Sequence, residues 1–339
     1  MADISYITDS FEEKIRRVNE IGAPVNFLFI TDEHNRLHEY SRKKRNPDNP
    51  QPYELASNAI EAVRYVIERC PSIQFVVNGG DIGNDYAPDY DDIIASYREV
   101  YDGLYSLPLP VHCVIGNHDD MLGNAIDHGR DTRIFKFLPD EMHEMCMKYN
   151  PTPENYYYVD DKEHGFRYVF MNTSDRPYFT DESGQYVFGW RIEVSTKQAQ
   201  WLENEALKTD LNVIVFSHAP LHNEGLFGTE GMPDGIKPYD DLLGGPRVYH
   251  DIKVSENVIA NISGHVHFDN LIYDGDLIRL TSLDSFADEW APNSPKRTIG
   301  THLETAFDVF SLKDGVMYIT RFGAGEDRVA LMKRYKESK

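Results

Sequence analysis

Val25-Asn26-Phe27-Leu28-Phe29-Ile30-Thr31-Asp32-Glu33-His34 begins as a short, largely apolar run and breaks abruptly into a cluster of polar and titratable residues. A brief β-branched and aromatic run of this kind reads as a strand buried on both faces. The same transition recurs along the chain. Ile73–Val77 runs into Asn78-Gly79-Gly80-Asp81, and Val111–Ile115 into Gly116-Asn117-His118-Asp119. Val213–Phe216 runs into Ser217-His218-Ala219-Pro220, and Val258–Ile262 into Ser263-Gly264-His265-Val266-His267. Between these runs lie helical patterns. Glu54–Arg69 carries Leu55, Ala59, Ala62, Val63, Val66 and Ile67 at helical spacing, with Pro71 beyond its end. Tyr90–Tyr105 and Ser195–Leu207 read alike, the second opened by Ser195 or Thr196 as a cap. Strands alternating with helices predict an α/β architecture, in which ligands sit beyond the carboxyl ends of the strands. All five polar clusters fall at such ends.

The middle of the chain predicts a hairpin, Tyr156–Val159 and Phe166–Met171, joined by Asp160–Gly165. Leu277–Leu280, Thr305–Leu312 and Val316–Phe322 alternate as strands, with Lys313-Asp314-Gly315 as a turn. From Gly323 onward the composition is polar, which predicts a peripheral tail over 323–339. No repeat, low-complexity block or biased linker divides the chain. The expectation is one domain over 1–339 with a core of about 25–322.

Hydrophobic residues make up 41% and charged residues 27% of the sequence, so a substantial core can form. The formal charge of −22 disfavours duplex nucleic acid and anionic membrane as partners, because both reward basic surface. A small anionic substrate responds instead to the local field of a pocket. Cys70, Cys113 and Cys146 are widely spaced and form no metal-type pair, which fits a reducing compartment. No segment approaches the ~20 apolar residues that span a bilayer. The N-terminus lacks a basic region followed by an apolar run, so the cytoplasm is the expected location.

Asp32 and His34 stand at i, i+2, and so do His265 and His267; at a strand end each pair can point to one side. Asp81 follows two glycines that permit a tight turn, Asn117 offers a neutral amide oxygen, and His218 stands alone after its strand. Four histidines, two carboxylates and an amide, without thiolate, suit Mn, Fe, Co or Zn better than Mg, and argue against a structural zinc site. Two divalent ions, two carboxylates and a bridging hydroxide leave one net positive charge to attract an anionic phosphate ester. Ions about 3.5–4 Å apart also lower the pKa of a bridging water to roughly 7. His118 is the candidate acid for the leaving oxygen, with Asp119 as the partner that keeps it protonated.

Asp-x-His (Asp32, His34), Gly-Asp (Gly80, Asp81), Gly-Asn-His-Asp (Gly116–Asp119), His218 and Gly-His-x-His (Gly264–His267) occur in that order. The sequence thereby resembles the calcineurin-like metallophosphoesterases over about residues 25–285. The resemblance implies a four-layer α/β/β/α sandwich, two mixed sheets flanked by helices. It implies one metal on Asp32, His34, Asp81 and His267, and a second on Asp81, Asn117, His218 and His265, with Asp81 shared. Met171-Asn172-Thr173-Ser174, followed by Gln198 and Trp201-Leu202, is similar to the branch holding cyclic-nucleotide and glycerophosphodiester phosphodiesterases. Asn84 stands where purple acid phosphatases carry a metal-binding tyrosine, and Asn84-Asp85-Tyr86 and Asp119 depart from the protein serine/threonine phosphatases. Glu33 is variable in the family and receives no role.

Outside these motifs, His38, His112, His128, His143, His164, His250 and His302 read as structural. Arg36, which opens the basic stretch Arg36–Arg45, together with Asn84 and His222, are candidates for contact with substrate. His222–Pro238 could form a lid. The reading is therefore metal-dependent hydrolysis of a small phosphate ester, a diester ahead of a monoester. A non-catalytic scaffold of the same fold and a nuclease stand as alternatives, and a homo-oligomer is compatible with all of them.

Overall fold

In the computed structural model the described residues are 4–35, 56–83, 90–119, 122, 126, 129–134, 143–148, 150, 152–175, 179–187, 192–221, 244–285 and 295–337. In chain order the elements are α1 (Thr8–Ile21), β1 (Val25–Ile30), α2 (Ala56–Arg69), β2 (Phe75–Asn78), α3 (Tyr90–Tyr105) and β3 (Val111–Cys113). Then come β4 (Tyr157–Asp161), β5 (Phe166–Phe170), a ribbon of β6 (Phe179–Thr180) and β7 (Tyr186–Val187), α4 (Thr196–Trp201) and β8 (Asn212–Ser217). The chain closes with α5 (Gly245–Val254), β9 (Val258–Ser263), β10 (Asn270–Asp274), β11 (Leu277–Thr281), β12 (Ala306–Lys313), β13 (Val316–Gly323) and β14 (Arg328–Leu331).

Two six-stranded sheets result, ordered β14-β13-β12-β1-β2-β3 and β10-β11-β9-β8-β5-β4. Both are mixed. β1, β2 and β3 run parallel at the centre of one, and β5, β8, β9 and β11 run parallel in the other. The sheets face each other across aromatic side chains. Phe27 of β1 stacks on Phe310 at 4.8 Å and on Phe75 at 5.3 Å, and meets Phe216 of the opposite sheet edge-on at 5.6 Å. On the outer faces α1 sets Phe11 against Phe307 and Phe322. Leu202, Val248 and Ile252 cover Val213, Val215 and Val258 on the other side. Helix, sheet, sheet and helix form four layers. This is the α/β/β/α sandwich of two mixed sheets that the family resemblance implies.

Most local expectations hold, with shifted ends. The predicted hairpin is β4–β5. Ser195 caps α4 by accepting the Gln198 N–H, after which the helix loosens into a π turn over Leu202–Ala206. Two expectations need correction. The core starts before residue 25, because Phe11, Ile15 and Val18 bury one stripe of α1. Within the expected tail of 323–339, the described residues 323–337 are not peripheral, because β14 extends the first sheet along β13. There, Arg321 and Arg328 enclose Asp308: Arg321 Nε lies 3.0 Å from Asp308 Oδ1, and Arg328 Nη2 donates to Oδ2. Arg328 also donates to Asp269 Oδ1 at 2.9 Å, and Asp327 takes the Arg321 backbone N–H and Lys14 of α1. The C-terminus is thereby tied to both sheets' edges and to the first helix.

Burial would raise the Asp308 carboxyl, but Arg321 and Arg328 outweigh it and hold it below its ordinary value. A depressed folded-state pKa contributes stability above the unfolded value of about 3.9 and loses it as pH falls through the folded one. Asp308→Asn is expected to cost ~3–5 kcal/mol at neutral pH, as removal of one member of a buried ion cluster does. Urea denaturation of the metal-free protein should show that gap narrowing as the pH drops below about 4. A gap independent of pH would remove the ion-pair explanation.

Candidate metal centre

The parallel strands deliver their carboxyl ends to a single edge of the sandwich. Beyond β1 and β2 the two loops stay in register: Asp32 N–H donates to Gly80 O, His34 N–H to Asp81 O and Asn35 N–H to Ile82 O, each at 2.9 Å. Across the sheets, His265 N–H donates to Asp32 Oδ2 at 2.9 Å, and within the second sheet Gly264 N–H donates to His218 O at 3.0 Å. Asp32, His34, Asp81, Asn117, His118, His218, His265 and His267, drawn from five segments, thus converge.

The backbone there is strained in a selective way. Asp32 (φ 53°), His34 (φ 44°), Asp81 (φ 58°), His265 (φ 70°) and His267 (φ 54°) all adopt the left-handed region. Among the described residues the one other non-glycine there is Asp314, in the β12–β13 turn. Left-handed backbone costs on the order of 1–3 kcal/mol per residue and persists where surroundings impose it. Here it turns each donor side chain inward. Close approach is needed as well: a Cβ on Gly116 would collide with the Asp81 carboxylate, and one on Gly264 with Thr31 and Asp32.

Asp32 is fully buried, and its Oδ2 accepts from Thr31 Oγ1 at 2.6 Å besides the His265 N–H. Its Oδ1 makes no well-formed hydrogen bond, and imidazole Nε2 atoms surround it: His267 at 3.1 Å, His34 at 3.8 Å and His218 at 3.9 Å. Asp81 Oδ1 accepts the His118 backbone N–H at 2.8 Å, while Oδ2 lies 3.0 Å from His218 Nε2 and 3.8 Å from His34 Nε2. His218 Nδ1 donates to Gly79 O at 2.8 Å, which directs Nε2 inward toward Asn117 Oδ1 at 3.2 Å. His34 and His267 bring their Nε2 atoms to 3.1 Å. Donor atoms 3–4 Å apart are spaced as ligands of one ion at ~2.1 Å are. Three donor groups lie within 4.8 Å internally: Asp32-His34-His267, His34-Asp81-His118 and Asp81-His218-His265. Burial takes His34 down to about 4 and His265 down to about 3, so both keep lone pairs at neutral pH. Against the same burial, Asp81 and Asp32 carry His218 up to about 10, and Asp32 raises His267. The cluster concentrates negative charge that positive charge must balance. Buried carboxylates, inward nitrogens and an unfilled carboxylate oxygen fit divalent cations.

Two candidate residues sit differently from the rest. His118 is half-buried, edge-on to His34 with ring centroids 4.8 Å apart, and its carbonyl accepts from Tyr97 Oη. Asp119, expected as the partner of His118, directs its carboxylate at backbone. Its carboxylate accepts three backbone N–H groups, from Gly116 at 2.8 Å, Asp81 at 3.0 Å and Ile82 at 2.9 Å. Burial and the Asp81 charge push it up to about 6. Asp119 therefore clamps two ligand-bearing loops together. Arg36, Asn84 and His222, with 37–45 and 223–238, lie outside the described residues.

The model of the family described as calcineurin-like phosphoesterase matches residues 25–269. The chain belongs to the calcineurin-like phosphoesterase family. A dimetal phosphatase from Danio rerio is similar in structure, with a TM-score of 0.60 at 17% identity over 92% of this chain and 100% of that one. GAP50, described as the anchor in the inner membrane complex of Plasmodium, aligns with a TM-score of 0.47 at 12% identity over 92% of this chain and 91% of that one. No curated protein matches the sequence.

Several residues around this calcineurin-like site escape the motif reading. Asp284, fully buried, lies 4.0 Å from His267 Nδ1 and is held by Arg297 Nη2 at 3.1 Å. It follows the apolar β11 in Ser282-Leu283-Asp284-Ser285, the same transition that marks the ligand loops, and was detectable by that signal. Tyr97 carries none, and Thr173 is marked only as part of the Met171–Ser174 stretch. Thr173 Oγ1 accepts the Ala219 N–H at 3.1 Å and so steadies the His218 loop.

Asp81→Asn should lower bound metal, measured by elemental analysis after loading, from about two ions per chain to one or fewer, because it weakens the one carboxylate present in two donor groups. Full retention of both ions would contradict the sharing.

Proposed function

We propose that this chain hydrolyses a small phosphodiester at a dinuclear metal centre. The observation that carries the reading is the Asp81 carboxylate, which belongs to two donor groups, one with His34 and His118 and one with His218 and His265. Asp32, His34, Asp81 and His267 would hold one ion, and Asp81, Asn117, His218 and His265 the other. Bound there, divalent ions of the Mn, Fe, Co or Zn type supply Lewis acidity toward phosphoryl oxygen and lower the pKa of water to roughly 7.

The chain's own groups supply the rest. Two carboxylates, Asp32 and Asp81, are outweighed by two divalent ions, so the loaded site attracts an anion despite a formal charge of −22 on the whole protein. That same charge opposes long polyanions, which favours a small substrate. Asn117 turns its amide oxygen toward His218, which leaves its NH2 as a donor for a phosphoryl oxygen. His118 is fixed through its backbone at both ends, by Asp81 Oδ1 and by Tyr97, while its half-buried ring stands beside His34. From there it donates a proton to the departing ester oxygen. The preference for a diester rests on Met171-Asn172-Thr173-Ser174 and Gln198. In the fold these form one unit: Gln198 accepts the Asn172 N–H at 2.9 Å and donates to Asn172 O at 2.8 Å.

Two outcomes are expected. The chelated protein, reloaded with Mn, Zn or Co, should cleave a chromogenic diester faster than the matching monoester; the reverse order would overturn the substrate class and leave the site intact. His118→Ala should lose ~10²- to 10⁴-fold in kcat, the contribution of a positioned acid, with metal content unchanged. Normal turnover by that variant would remove His118 from the reaction.

A further inference from the structure

Glu33 stands between two candidate ligands and takes none of the roles above. It is fully buried, as is Asn78, the last residue of β2. Asp32 and His34 turn inward on left-handed backbone, and the side chain between them goes elsewhere: Glu33 Oε1 accepts from Asn78 Nδ2. The other end of that carboxamide, Asn78 Oδ1, accepts the Gly80 N–H at 2.9 Å. The Gly80 carbonyl in turn accepts the Asp32 N–H, and the Asp81 carbonyl accepts the His34 N–H. A closed ring of hydrogen bonds therefore runs from the first ligand loop through Glu33 and Asn78 into the second loop and back.

A carboxamide can place its oxygen or its nitrogen toward a given neighbour, and the surrounding network decides which. Here an acceptor oxygen on Glu33 draws Nδ2, so Oδ1 must face the Gly80 N–H. That bond matters because Gly80 (φ 94°) and Asp81 (φ 58°) form a left-handed turn, which must be imposed from outside. A buried carboxyl is costly, and an apolar residue would fill the space at no such cost. The ring gives this buried carboxyl a hydrogen-bonding role next to the ligands.

We propose that Glu33 is a positioning residue: through Asn78 it fixes the Gly80–Asp81 turn, and with it the carboxylate shared by the two metal sites. The proposal rests on the two-metal reading above and adds to it a residue that touches neither ion.

The test compares Glu33→Leu, which removes the acceptor, with Glu33→Gln, which keeps one. Hydrogen exchange of the metal-free proteins is followed at 78–82, and the Mn-loaded proteins are examined by elemental analysis and electron paramagnetic resonance. In Glu33→Leu, exchange at 78–82 should be roughly tenfold faster, the factor expected for one lost hydrogen bond, with the β8 and β9 segments unchanged. The same variant should hold about one Mn per chain in place of about two, with the exchange-coupled signal of a metal pair replaced by that of a single ion. Glu33→Gln should restore both readouts. Unchanged exchange and a wild-type coupled spectrum in Glu33→Leu would overturn the proposal. So would faster exchange throughout both sheets, or equal damage in Glu33→Gln. A wild-type protein that binds no metal pair would defeat the two-metal reading instead, and the exchange comparison, made without metal, would still decide the hydrogen-bonded ring.

Discussion

Asp32 and Asp81 bring carboxylates into a fully buried edge where two sheets meet, and the rest of the site is arranged around that charge. Isolated ions in such surroundings are prohibitively costly, so each oxygen needs a donor or a cation. Three of the four oxygens are accounted for by donors or by an imidazole: Asp32 Oδ2 by Thr31 and His265, Asp81 Oδ1 by the His118 N–H, and Asp81 Oδ2 by its approach to His218. Asp32 Oδ1 faces three imidazole nitrogens at once, His267 nearest at 3.1 Å, which is the arrangement of an ion's ligands. Burial keeps His34 and His265 neutral and able to ligate.

Holding those groups inward requires backbone that L-residues avoid, and the strain falls on the ligands themselves. Five of the seven candidate ligands are left-handed. The surroundings that impose this are layered outward from the site. Asp119 spans Gly116, Asp81 and Ile82; Glu33 and Asn78 reach Gly80; Thr173 reaches Ala219. Farther out, Arg321 and Arg328 secure Asp269, two residues beyond His267, to Asp308 of the first sheet. The edge strand β14 thus braces the loop that bears two of the ligands.

Much of this was legible in the sequence, for a physical reason. A strand buried on both faces must be apolar until it emerges, so an abrupt polar turn after Ile30, Val77, Ile115, Phe216 or Ile262 marks both a strand end and a functional edge. Residues whose work is tertiary were not legible. Nothing in the sequence marks Asp119 as the carboxylate that closes its loop onto a segment 37 and 38 residues away. Arg328 looks like surface charge until Asp308 and Asp269, brought from two different sheets, surround it. The α1 stripe of Phe11, Ile15 and Val18 stands at helical spacing but ahead of the first strand, where no polar cluster marks it.

The central claim is that Asp81 is shared between two cations. Anomalous diffraction from crystals soaked with Mn tests it most directly. The account predicts two peaks about 3.5–4 Å apart with the Asp81 carboxylate between them, one beside Asp32, His34 and His267 and the other beside Asn117, His218 and His265. A single peak, or a pair that Asp81 does not join, would contradict it.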